Sequence, residues 1–153
     1  METSHKTENI RVKIVNRGGQ PLPAYETFEA AGMDVRAAIK EPVTLAPLQR
    51  ALIPTGLHVQ LPPGLQIEMR PRSGLALKHG LSLVNSPGTV DADFRGEIGA
   101  ILINLSDTPY TIEPGERICQ MVVTPYLHVT WHEVDKIDET ARGEGGFGHT
   151  GVE

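Results

Sequence analysis

A single cysteine, Cys119, stands among the 153 residues, so the chain has no internal disulfide and no cysteine-based zinc site. That usage suits a reducing compartment, with the thiol as a small buried hydrophobe. Aromatic residues make up 5% of the chain, so a ligand that stacks must do so on very few rings. No apolar run approaches the roughly eighteen residues of a membrane span, and the polar stretch 1–9 lacks the apolar core of a secretory signal. The formal net charge of -5 argues against a nucleic-acid surface or an anionic membrane as the main partner. An anionic ligand would need the arginines gathered in one place. These absences leave one cytoplasmic domain, long enough to bury roughly two-thirds of the surface its unfolded chain exposes.

Proline and glycine are plentiful, at 12 and 16 residues. They divide the chain into short apolar runs at intervals of about ten residues, the pattern of an all-β sandwich or barrel. Val12 and Ile14 alternate with Arg11 and Lys13; Leu57, Val59 and Leu61 with His58 and Gln60; Leu65, Ile67 and Met69 with Gln66 and Glu68. A period of two is the strand period. Further strands are expected over 81–84, 98–105, 117–124 and 127–134, the last with Leu127, Val129 and Trp131 on one face. His128 and His132 would meet on a helix, but an alternating strand keeps them apart, and nothing else supplies ligands for zinc. Residues 73–80 break the pattern and predict one short helix, with Ser73 as N-cap and Gly80 as its terminal glycine. The expected organisation is a disordered tail over 1–9, a distorted β-barrel or jelly-roll-like domain over 10–134, and a mobile glycine-rich arm over 135–153.

Arg72, just before the expected helix, stands where free backbone N–H groups and the helix dipole favour an anion, although the same residues fit an ordinary capped helix. The stretch Asn85-Ser-Pro-Gly-Thr-Val-Asp-Ala-Asp-Phe-Arg-Gly96 lies between two strands and reads as a functional hairpin. Within it Asp91 and Asp93, two apart in an extended segment, point to opposite faces and take different roles. An ordinary acidic surface turn would carry the same pair. Ala31-Gly-Met-Asp-Val-Arg36 and Arg117-Ile-Cys-Gln120 add weaker signals, with Asp34 as a satisfied structural carboxylate and Gln120 as an edge-strand polar group. The tail Arg142-Gly-Glu-Gly-Gly-Phe-Gly-His-Thr-Gly151 offers nothing to a core. It is either a disordered end or, with Arg142, Phe147 and Thr150 set among glycines, a cover for an anionic molecule with a flat ring.

In order and spacing, five segments resemble the motifs of the trimeric deoxyuridine triphosphatase (dUTPase) family over residues 31–151. Ala31-Gly-Met-Asp34 is similar to the first motif and Pro71-Arg-Ser-Gly74 to the second. Gly88-Thr-Val-Asp-Ala-Asp-Phe-Arg-Gly-Glu97 resembles the third, Gly115-Glu-Arg-Ile-Cys-Gln120 the fourth and the tail the fifth. The resemblance implies an all-β dUTPase fold and hydrolysis of dUTP to dUMP and pyrophosphate, by attack of water on the α-phosphorus with Asp91 as the activating base. It implies that Asn85, Gly88, Thr89, Val90 and Asp91 hold uracil and deoxyribose largely through main-chain groups, with a backbone contact from Gly99. Arg72, Ser73 and Gly74 would take the phosphates, and Gln120 would help hold phosphate and water. From the tail, Phe147 would cover uracil while Arg142 and Thr150 contact the distal phosphates, with Gly148 and His149 in the same substrate-binding stretch. Mg²⁺ would be held mainly by the triphosphate, with Asp34 near it only through water. The implied assembly is a homotrimer with shared sites, and an extended arm spanning on the order of 60 Å would reach a neighbour.

Two residues depart from the family pattern. Phe94 stands where many members carry tyrosine under the sugar, which keeps the ring's shape against a ribose 2'-hydroxyl but removes the phenol's hydrogen bond. His149 stands where the fifth motif usually has serine, and an imidazole adds charge when protonated. A carboxylate is a weak base at neutral pH, so positioning and charge stabilisation by the arginines and Mg²⁺ should carry most of the rate. A dCTP deaminase shares the implied fold but carries a glutamate along the strand after the hairpin, whereas 99–103 contains no acid here. A dUTP-sensing protein that signals to a partner without turnover would not need the full set of candidate catalytic residues.

Overall fold

The computed structural model describes residues 9–147. Strict alternation makes β8 (Ile98–Asn104) the plainest strand: Ile98, Ala100, Leu102 and Asn104 are buried and the residues between them are half-exposed. It pairs antiparallel with β4 (Arg50–Gln60), whose Ile53, Leu57 and Val59 are buried in the same core. With β1 (Lys13–Asn16) and β6 (Leu81–Leu83) they form a sheet ordered β1-β4-β8-β6. A second sheet runs β2-β10-β5-β7, from β2 (Met33–Arg36), β10 (Arg117–Pro125), β5 (Leu65–Arg70) and β7 (Gly88–Val90). Strands β3 (Val43–Leu45) and β9 (Tyr110–Ile112) form a third, two-stranded sheet. Ile53, Leu81 and Leu102 of the first sheet meet Val35, Ile67, Met69 and Cys119 of the second in one apolar core. The fold is all-β with one short helix, α1 (Ser73–His79), among the described residues, and the sheets do not close into a barrel. No helix of the described residues is long and apolar enough to cross a membrane.

Two buried polar groups fix the ends of the central pair. Asn104 Nδ2 donates to the carbonyls of Leu45 at 2.9 Å and Thr108 at 2.7 Å, and its Oδ1 accepts from the N–H and hydroxyl of Ser106, so the whole amide is satisfied. At the other end the β4–β8 register shifts between Pro54 and Leu57. Thr55 Oγ1 donates to the Ile98 carbonyl at 2.5 Å and accepts from the Leu57 N–H, filling the irregularity. Gly56 takes φ 70° there, and a β-carbon on it would run into the backbone of Gly18. Its N–H is thereby free to donate to Glu97 Oε1 at 2.8 Å.

Four expectations change. Residues 127–134 form no strand: Leu127 and Trp131 are 92% and 89% exposed, because alternation marks a segment able to pair but the described residues supply no partner. Ser73 is the first helical residue; Arg72 is the N-cap, with no side-chain capping bond. Gly80 ends the helix as expected, at φ 64° with its N–H on the Ala76 carbonyl. Residues 85–96 are no hairpin, since β7 pairs with β5 in one sheet while β6 and β8 pair in the other, and the segment crosses between them. Nor are Asp91 and Asp93 in extended chain: they belong to a turn in which the Phe94 N–H meets the Asp91 carbonyl at 3.2 Å.

The Cys119 thiol is fully buried, and burial, with the Asp34 carboxylate adding to it, pushes its pKa up from 9.0 to about 12. The unfolded thiol ionises first, so the stability due to the neutral buried thiol is complete below pH 9 and lost as pH rises toward about 12. A thiol reagent is therefore expected to label Cys119 only in denaturant, and rapid labelling of the folded protein would show the thiol to be accessible.

Candidate active site

A cavity of about 180 Å³ lies where β7, the turn after it and β8 come together. Asn85, Gly88, Thr89, Val90, Asp91, Phe94 and Gly99 all line it, over a floor that includes Met69, Leu83 and Ile98. These seven are the residues that the family resemblance assigns to the nucleoside and to the catalytic base. β7 is the last strand of its sheet, so one side of its backbone has no ladder partner among the described residues. The turn that follows is pinned throughout. Arg95 NH1 donates to the carbonyls of Ala92 at 2.7 Å and Phe94 at 3.0 Å, His58 Nδ1 lies 3.1 Å from the Arg95 carbonyl, and Glu97 receives the Gly56 N–H. Arg95 thus serves the loop. Asp91 also borders a second cavity of about 730 Å³, with Gln60, Asp93 and Arg95, whereas Asp93 borders that cavity alone. The two acids do stand in different surroundings, through a turn instead of strand alternation.

A second cluster is built on the other sheet by register. Gln120 of β10 pairs with Asp34 of β2 on one side and Arg70 of β5 on the other, next to Pro71 and Arg72. Asp34 sits between two guanidinium groups, with Arg72 Nε at 3.0 Å from one oxygen and Arg117 NH1 at 3.3 Å from the other. Arg72 NH1 also donates to the Arg117 carbonyl at 3.1 Å, and Glu26 holds Arg117 NH2 at 3.1 Å. Pairs as exposed as these add little stability, roughly 0–1 kcal/mol each, so their effect is to orient the arginines. Gln120 Nε2 donates to the Pro71 carbonyl at 3.0 Å, fixing the chain just before Arg72. Gly32 makes room for it: a β-carbon there would overlap Gln120 Oε1. Ser73 and Gly74 are exposed at the start of α1. At its end the His79 ring lies tilted against Tyr110 with centroids 5.0 Å apart, and the Tyr110 hydroxyl donates to Glu116. Burial, and then the Glu116 carboxylate, hold that phenol far above its ordinary pKa.

A family model described as dUTPase matches residues 19–151. The chain belongs to the dUTPase family. It is 54% identical to the deoxyuridine 5'-triphosphate nucleotidohydrolase of Fusobacterium nucleatum subsp. nucleatum over 144 residues, which is 94% of this chain and 99% of that protein. The protein of the same name from Finegoldia magna is 51% identical over 93% of this chain and 99% of its own length. Among solved structures, the Staphylococcus bacteriophage 80alpha dUTPase with dUpNHpp superposes with a TM-score of 0.84 at 26% identity, covering 94% of this chain and all of that one.

In this dUTPase the expected site residues fall into separate groups. Asp34, Arg72, Ser73, Gly74 and Gln120 do not line the cavity that holds Asp91, and neither do Arg142 and Phe147. Arg142 Nε instead donates to the Gly145 carbonyl at 2.8 Å, and the Phe147 side chain is wholly exposed. Gly148, His149 and Thr150 lie outside the described residues. Sequence reading gave no role to Arg117, Glu97 and Gly32, although each stands inside a quoted motif, and it missed Gly56 altogether; all four act on residues far away in the chain.

Gly32→Ala should move Gln120 off the Pro71 carbonyl and misplace Arg72. The expected outcome is a fall in dUTP turnover of up to about 10²-fold with an unchanged fold by circular dichroism. Wild-type turnover would show that Gln120 need not sit where Gly32 allows it.

Proposed function

We propose that the protein hydrolyses dUTP to dUMP and pyrophosphate, by water attack on the α-phosphorus, in sites completed between copies of the chain in a homotrimer. One observation carries this reading: the Asp91 cavity and the Asp34–Arg72–Arg117–Gln120 cluster each form within one chain but do not share a cavity. A nucleoside in the first cavity with its phosphates on the cluster of another copy fits sites shared between copies. The family match, and the relatives' activity as nucleotidohydrolases, support dUTP as the substrate.

Uracil presents acceptor, donor and acceptor along one edge, and the unpaired backbone edge of β7 offers it partners as another strand would. Asp91, exposed at the end of β7, would accept a proton from the attacking water, a contribution of about 10²- to 10⁴-fold. Arg72, oriented by Asp34, and the backbone N–H groups of Ser73 and Gly74 would hold the non-bridging oxygens as charge spreads over them. The segment from Asp135 onward would bring Arg142 and Phe147 over the bound nucleotide and exclude water. For Mg²⁺, the donor set is informative. Asp34 is engaged by two guanidinium groups, and among the described residues no three His, Cys, Asp or Glu side chains converge. These residues fit an ion carried in by the triphosphate with its waters, where it would neutralise phosphate charge. Such an enzyme, acting in the cytoplasm, lowers dUTP and supplies dUMP for thymidylate synthesis.

Asp91→Asn should cut pyrophosphate release from dUTP by about 10²- to 10⁴-fold while a non-hydrolysable dUTP analogue still binds. Undiminished turnover would remove Asp91 as the base. Arg72→Ala should be inactive as well, and the shared site predicts complementation. Unfolding and refolding Asp91→Asn together with Arg72→Ala should restore a fraction of wild-type turnover, because some mixed sites combine an intact Asp91 from one copy with an intact Arg72 from another. Mixtures as inactive as their components would confine both residues to one chain.

A further inference from the structure

The Phe94 ring lines the Asp91 cavity and is 43% exposed, yet none of the bonds that pin its turn touches the ring. Arg95, His58 and Glu97 hold backbone and carboxylate positions on either side of it. What meets the ring is Gly96. A β-carbon built on Gly96 would stand 2.5 Å from ring atom Cζ, 2.8 Å from Cε2 and 3.4 Å from Cε1. The first two separations lie well inside van der Waals contact, so any side chain at 96 must displace the ring. Gly96 is not a glycine for reasons of backbone: its φ lies outside the left-handed region, where an alanine is at ease. Its missing side chain leaves space that the ring tip occupies.

We propose that Gly96 is a positioning residue for sugar selection: it lets the Phe94 ring lie back against the turn, at the depth where the cavity admits deoxyribose and refuses ribose. The inference rests on the reading of Phe94 as the ring beneath the sugar. A phenyl face offers a 2'-hydroxyl no hydrogen-bond partner, so a ribose would bury that group unsatisfied or lift off the ring. Such discrimination is sensitive to where the ring sits, because a ring moved off the turn no longer fits the flat 2'-face and crowds both sugars alike. Gly96→Ala should therefore act on the preference between dUTP and UTP, whereas a purely structural effect would lower stability or both activities together.

The test measures kcat/KM for dUTP and for UTP in the full-length wild type, Gly96→Ala, Phe94→Ala and the double variant, with thermal melts of each. Gly96→Ala is expected to lower the dUTP-over-UTP ratio by about tenfold, within the roughly 10²-fold that an added hydroxyl is worth against an apolar wall. Phe94→Ala should lower it at least as much. The double variant should match Phe94→Ala, since without the ring the added methyl has nothing to push. If Phe94→Ala leaves the ratio unchanged, the reading of Phe94 fails and the proposal with it. If Phe94→Ala lowers the ratio and Gly96→Ala does not, the proposal alone fails. A double variant whose ratio drops below that of Phe94→Ala would show Gly96 acting other than through the ring and would also overturn it. Should Gly96→Ala not fold, the double variant decides, because the argument requires it to fold and to keep the Phe94→Ala ratio.

Discussion

Pairing of β4 with β8 is the constraint on which the rest of the chain depends, and the irregularity within it matters as much as the ladder. Five residues, from Arg50 to Pro54, run in register against β8 before the shift at Thr55 and Gly56. Because Gly56 adopts φ 70° against Gly18, the N–H turns to Glu97 and anchors the turn that carries Asp91 and Phe94. Below it the same ladder supplies Gly99, Ala100 and Ile101 as one wall of the cavity. A core pairing thus fixes the place of an exposed loop, which is how a short turn of polar residues can hold a defined shape on the surface.

The second sheet performs the same service for charge. Three adjacent strands bring Asp34, Gln120 and Arg70 into lateral register, and the chain leaves β5 through Pro71 with its carbonyl already held by Gln120. Asp34 neutralises part of what would otherwise be two neighbouring guanidinium groups, and so allows Arg72 and Arg117 to stand together before any anion arrives. Preorganised donors of this kind need no rearrangement when phosphate charge develops, which is where such groups have their effect.

How far all this is legible in the sequence depends on the length scale over which each feature is encoded. Alternation over 98–104 and 65–69 reveals β8 and β5 directly, because every second side chain enters the core, whereas 117–124 shows β10 as an apolar run in which neighbouring residues such as Ile118 and Cys119 are both buried. β2, β3, β7 and β9 are three or four residues long, too short for a period of two to stand out, and they exist because neighbours hold them. The alternation at 127–134 is as good as any, but pairing needs a partner that no local pattern reports. For the same reason 85–96 looked like a hairpin: turn residues between strands announce a reversal and say nothing of which sheet the chain enters next. The cavity residues were legible as a motif resembling a family. Glu97 with Gly56, and Gly32 with Gln120, are contacts across distant parts of the chain, visible only once the strands are placed.

Two properties of the single chain point the same way. Leu127, Val129 and Trp131 lie in water at exposures of 92%, 67% and 89%, although each would gain on the order of 1.5–3 kcal/mol by burial. The candidate catalytic groups, meanwhile, are well ordered within their clusters and yet do not converge in one cavity. A chain that met its needs alone would have covered the first and joined the second. The proposed homotrimer answers both, because adding a copy supplies apolar surface and the missing half of a site in the same step. With sites shared as proposed, it also ties activity to assembly: a separated subunit would keep Asp91 and Arg72 each in its local geometry but lack the half of the site that another copy contributes.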